Sequence, residues 1–201
     1  MPSHNWPNLP GIVMVETGTL TALFHELIQQ ALVQHQLTPS ETTECYLVHL
    51  LERFASPSRT DLLDPPLGVD FLRAFELPAA QRFDTLRRVA DTALFVTGIF
   101  VECLDRGLVG PAYYTALGRN AYAHLSNEMR RGALGESFVE LADRFPEFVR
   151  VLGTISGLEL FRSEQDTLRL YGRWLHGGTA READLLARKG LIPVRAPSRR
   201  Q

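Results

Sequence analysis

Ala93-Leu94-Phe95-Val96-Thr97-Gly98-Ile99-Phe100-Val101 is the stretch on which the fold turns. It carries no charge, and its only polar side chain is that of Thr97. Upstream, Phe83, Leu86, Val89 and Ala90 recur at the spacing of one helix face. The helix that follows Pro78 therefore begins amphipathic and becomes apolar on nearly every side. A helix of that kind is surrounded by protein, which places it at the centre of a bundle. The run is far shorter than the roughly 20 residues of a membrane span. Gly98 lowers helix propensity by about 1 kcal/mol relative to Ala. The benefit expected in return is close approach of another backbone, with the small residues Gly118 and Ala121 as its partners at a tight crossing.

On the N-terminal side, Leu20, Leu23, Phe24, Leu27, Ile28, Ala31 and Leu32 predict a helix that starts near Thr17 or Thr19. Thr38-Pro39-Ser40-Glu41 is a start signal: Thr38 caps, Pro39 takes the first helical position and Glu41 completes the box. The helix it opens runs to about Phe54, with Tyr46, Leu47, Leu50, Leu51 and Phe54 inward. A Pro-rich loop from Ser56 to Pro66 follows, then a short helix from Val69 to Phe75.

On the C-terminal side, Gly110-Pro111 opens a helix whose stripe is Tyr114, Leu117, Gly118, Ala121, Tyr122, Leu125 and Met129. Leu134, Phe138, Leu141, Ala142 and Phe145 mark another. Pro146 must kink or restart it, because a proline inside a helix removes a hydrogen bond and clashes with the preceding turn. Phe148, Val149, Leu152 and Ile155 continue the stripe to Gly157. Ser163 opens a helix that ends at Gly177-Gly178, and Thr179 to Glu182 is a second capping box before Gly190. No segment alternates with period two. The reading is all-α: a single-domain bundle of about seven helices over 17–192, with a central fully buried helix, an irregular arm at 1–16 and a flexible tail at 193–201.

The 201 residues include 45% hydrophobic and 22% charged ones, values of an ordinary globular chain. The formal net charge of −2 argues against a protein built to bind nucleic acid or an anionic membrane. Cys45 and Cys103 fall in apolar helical patterns without metal-ligand spacing, so both are expected to be reduced core residues. Met1 to Gly11 has three prolines and no apolar core of a secretory signal, and a cytoplasmic location is expected.

The chain has no phosphate-binding glycine loop, nucleophile elbow or His-Glu-x-x-His pair. A bundle can house a di-metal carboxylate centre built on Glu-x-x-His, but no glutamate here has histidine three residues on. The nearest patterns, His49 with Glu52 and His124 with Glu128, read as surface pairs, and no metal or cofactor is expected. Trp174 and Tyr171, near Arg162 and Arg169, read as an apolar stripe with solvated arginines.

The distinctive region runs from Asp91 to His124. A carboxylate one turn before the apolar run is costly to bury unless paired. Its candidate partners are Arg87, Arg88, Arg119 and the hydroxyls of Tyr113, Tyr114 and Tyr122. Two readings compete: a satisfied structural network between helices, or a pocket whose few polar groups meet a ligand. On the second, the candidate ligand-binding residues are Asp91, Tyr114, Arg119, Tyr122 and His124. Asn120 and His124 lie beside the main stripe and read as a polar flank.

Three runs carry a resemblance: Tyr46-Leu-Val-His-Leu-Leu-Glu-Arg-Phe54, Asp91-Thr-Ala-Leu-Phe-Val-Thr-Gly-Ile-Phe100 and Tyr113-Tyr-Thr-Ala-Leu-Gly-Arg-Asn-Ala-Tyr122. Together they resemble a group of uncharacterised all-helical bacterial proteins. The resemblance implies a bacterial cytoplasmic origin and a helical fold, and it carries no activity and no site residue. The function expected is non-enzymatic binding of a small molecule or partner protein by a homo-oligomer. A metal- or haem-dependent bundle enzyme and a structural or adaptor subunit stand as alternatives.

Overall fold

The computed structural model describes residues 20–55, 67–104, 109–129 and 132–156, all in or between helices. In chain order the helices are α1 (Leu20–Gln34), α2 (Glu41–Ala55), α3 (Leu67–Ala74), α4 (Ala79–Ile99), the single turn α5 (Val101–Leu104), α6 (Pro111–Glu128), α7 (Ala133–Asp143) and α8 (Phe145–Ile155). The described residues form no strand, and the fold is all-α. The predicted start at Thr17 or Thr19, the Ser56–Pro66 loop, both helices beyond Ser163 and the two chain ends lie outside the described residues.

α4 is the axis of the bundle. It packs against α6 and α8, and also meets α2 and α3, while α1 closes the far side on α2 and α8. Every residue from Val89 to Phe100 is buried, as an all-apolar face requires. Phe95 stacks on Phe54 of α2 at 4.2 Å between ring centroids and meets Phe100 edge-on at 5.3 Å. Tyr122 of α6 packs against Phe138 and Phe145, which ties α4, α6, α7 and α8 into one core. The apolar run ends one residue earlier than its sequence, because Val101 opens a new turn and is 40% exposed.

The glycines separate two crossings that the sequence reading joined. A Cβ on Gly98 would lie 2.5 Å from Leu152 Cβ and 3.3 Å from the Val149 carbonyl, so Gly98 admits α8. Gly118 instead receives the Phe145 ring and Ala93 of α4. Gly98 and Gly118 sit on different sides of α4, and the expected Gly98–Gly118 contact does not form.

The start of α2 is also displaced from its expected register. Ser40, not Thr38, is the cap: its Oγ accepts the Thr43 backbone N–H at 3.2 Å. The carboxylate that returns to the cap is not Glu41. Glu140 of α7 accepts the Ser40 N–H at 3.0 Å, a capping box completed by another helix. α1 ends in a Schellman turn, with Leu37 N–H on the Leu32 carbonyl and Gln36 N–H on that of Val33. Gln36 holds the left-handed position at φ 54°, so no glycine marks this end in the sequence.

Pro146 restarts rather than kinks its helix. α7 stops at Asp143 and α8 begins at Phe145, where Pro146 needs no intrahelical donor. Cys45 is a correction: it is a free, exposed thiol. The buried face of α2 is drawn by Thr43, Tyr46, Leu47, Leu50, Leu51 and Phe54, and residue 45 lies off it. The Cys103 side chain lies outside the described part of the structure.

Candidate functional site

Asp91 sits on α4 where the helix becomes fully enclosed, and it is 0% exposed. Four donors from three helices surround its carboxylate. Oδ1 accepts the Tyr46 hydroxyl of α2 at 2.5 Å and the Tyr122 hydroxyl of α6 at 2.7 Å. Oδ2 accepts the guanidinium of Arg53, and Arg87 Nε stands 3.7 Å from the same oxygen. Local sequence explains half of this. Arg87 precedes Asp91 by one turn, and Tyr46 and Arg53 lie two turns apart on one face of α2. The meeting of the two helices is tertiary.

The electrostatics follow from burial. Desolvation, then the Asp91 charge, pushes the Tyr46 hydroxyl far above its ordinary pKa. Burial followed by Asp91 does the same to Tyr122. Both remain protonated donors. Burial works against the charged form of Arg53, but Asp91 beside it prevails and holds its pKa above the ordinary value. With two hydroxyls and a guanidinium already bonded to it, Asp91 is poorly placed to accept a proton from a substrate. It is an anchor that orients arginines.

Outward from Asp91 opens a cleft of about 230 Å³, lined by Arg53, Phe54, Asp84, Arg87, Arg88, Asp91 and Thr92. Arg88 is committed elsewhere, to the buried Asp70 of α3. Arg53 lies 5.5 Å from the Phe54 ring and Arg87 5.5 Å from the Tyr46 ring, both in cation–π range. The Nε atoms of Arg53 and Arg87 are buried and have no hydrogen-bond acceptor among the described residues. Asp84 stands exposed at the rim.

Of the residues expected to form a site, the structure joins Asp91 with Tyr122, and with Arg87 among the candidate partners. The others do other work. Tyr114 meets Tyr113 edge to face. Arg119 donates to the Ala142 carbonyl at 3.0 Å and clamps α6 to α7. His124 is exposed and lies against the rings of Phe71 and Phe75. His49 and Glu52 do pair at the surface, at 2.8 Å, whereas Glu128 turns from His124 to Arg82. No group of three or more His, Cys, Asp or Glu side chains among the described residues is arranged to hold a metal. Tyr46 and Arg53 are the site residues that sequence reasoning missed. The available signal was Arg53 falling on the face of Tyr46 at the end of an otherwise apolar stripe.

Compared with known proteins, the chain matches no family model, no curated protein and no solved structure. No helix among the described residues is long and apolar enough to cross a membrane.

Proposed function

We propose that this is a non-enzymatic binding protein that takes a small ligand in the cleft over Asp91. The observation that carries the reading is the open cleft lined by the part-exposed side chains of Arg53 and Arg87, both held by the buried Asp91 carboxylate. The saturated carboxylate of Asp91 favours binding over proton transfer. The volume, about 230 Å³, lies below the roughly 300–1,000 Å³ of drug-sized sites and suits a compact molecule. The test is a two-dimensional amide NMR screen of small anions, neutral amides and aromatic fragments against the full chain. Saturable shifts at Arg53–Phe54 and Arg87–Thr92 are expected; a library that leaves those amides unmoved overturns the reading.

A second reading, self-association, rests on α3 and its end. Val69, Leu72 and Phe75 are exposed at 39%, 69% and 43% and recur every third residue. Exposed Arg73 and Glu76 flank them with opposite charges. Such a stripe is self-complementary about a two-fold axis, so the partner proposed for it is a second copy of this chain.

A further inference from the structure

We infer that acid releases the α3 self-association through His124; this rests on the self-association reading above. The three stripe residues cannot make a stable dimer alone. A whole large side chain covers at most about 250 Å². Val69, Leu72 and Phe75, 39–69% exposed, therefore fall well short of the roughly 800 Å² per copy that a stable interface buries. A second copy seated on them must also cover their neighbours. On the α6 side these are two exposed rings. Tyr113, 44% exposed, lies over Gly68, where a Cβ would collide with its hydroxyl. His124 stands edge-on to Phe75 at 4.8 Å between ring centroids and 5.9 Å from Phe71. A surface that seats on Phe75 therefore reaches the imidazole beside it.

Histidine changes charge between pH 5 and 8, and its two forms fare differently in such a contact. Neutral imidazole packs against rings; an imidazolium needs water or a carboxylate. The acidic groups of the packed helices are engaged. Glu128, one turn on along α6, pairs with Arg82 of α4, and the buried Asp70 of α3 pairs with Arg88. Arg119 of α6 is turned to the Ala142 carbonyl of α7. Exposed Arg73 and Glu76 of the α3 end carry opposite charges, and a two-fold axis sets each against the other. Among the described residues no ion pair reaches His124. The Phe71 and Phe75 rings lie beside it in the single chain and in the dimer alike, so their attraction for a cation favours neither state. What docking changes is water. Dimerisation strips it from His124 on both copies, so the dimer holds fewer protons than two free chains and acid pulls it apart.

The experiment is sedimentation velocity on the full chain over a concentration series at about pH 8 and about pH 5.5, at one ionic strength. The lower value stays above the range in which Glu140 loses its hold on the α2 cap, and melting scans at both values check the fold. The dimer dissociation constant should rise at least about tenfold on acidification, because two histidines, one per copy, are linked to one association. His124→Gln, neutral throughout, should dimerise like the wild-type chain at the higher pH and lose the pH dependence. His124→Lys, charged throughout, should be as weak at the higher pH as the wild-type chain is at the lower.

A wild-type dimer of equal or greater affinity at the lower pH overturns the release through His124 and leaves self-association standing. An acid loss that survives in His124→Gln does the same. A chain that is monomeric at the higher pH at every concentration overturns both the release and the self-association reading.

Discussion

Asp91 is fully enclosed, yet it is bonded to two phenols and a guanidinium with a second guanidinium near. Removing its charge strands Arg53 and Arg87. Breaking a buried pair costs about 3–5 kcal/mol. Asp91→Asn should fall at the low end, about 3 kcal/mol by urea unfolding, because Arg53 is 31% exposed and water relieves part of the penalty. The tyrosines supply a pH signature. Their folded pKa values lie above the unfolded value of 10.0, so the stability they add is complete below pH 10 and is lost as pH rises beyond it. In an ultraviolet titration, Tyr46 and Tyr122 should ionise only as the chain unfolds; ionisation of both in the intact fold would contradict the network. Asp91 was legible in the sequence because a carboxylate beside an apolar run demands partners. Arg87 and Tyr122 were legible with it, one from helical spacing and the other as a nearby hydroxyl. Tyr46 and Arg53 were not, since they arrive from α2, 45 and 38 residues away.

Between elements, glycine replacements separate local preference from packing. Ala at either Gly98 or Gly153 gains up to about 1 kcal/mol of helix propensity. At Gly153 the nearest neighbour of an added Cβ is the Gly98 carbonyl at 3.6 Å, an ordinary contact, so Gly153→Ala should be neutral or stabilising. At Gly98 the Cβ would meet Leu152 Cβ at 2.5 Å and must drive α8 off α4. Overpacking of about 1–3 kcal/mol then outweighs propensity, and Gly98→Ala should lower the melting temperature where Gly153→Ala does not. The α2–α7 cap makes a pH prediction. Burial raises the Glu140 pKa, but hydrogen bonds from Ser40 and Thr43 and the charge of Arg144 bring it below the ordinary 4.5. Its contribution is therefore present above pH 4.5 and disappears as pH falls through the lower folded value. Glu140→Gln should cost stability at pH 7 and show a shallower acid limb; parallel pH curves would refute this. Helix positions were readable from periodicity, whereas the cap was misread by two residues because its carboxylate comes from another helix.

For the whole molecule, the proposed self-association has a direct readout. Light scattering should report a concentration-dependent dimer, and Leu72→Asp, at a side chain 69% exposed, should yield monomer without loss of melting temperature. A monomer at every concentration would discard the α3 interface. The sequence by itself determined the all-α class, the positions of the helices between residues 20 and 156 apart from the single turn α5, a break at Pro146 and the burial of α4, because hydrophobic periodicity and proline geometry act within a few turns of chain. It also marked Asp91 as a residue in need of partners. Only the tertiary structure decided which glycine admits which helix, that the chain restarts rather than kinks at Pro146, that Cys45 faces outward, that Glu140 caps α2, and that Tyr46 and Arg53 complete the network around Asp91 with Arg87. The physical reason is that rotation and register between helices are set by side-chain fit across long sequence separations, and no local pattern encodes that fit.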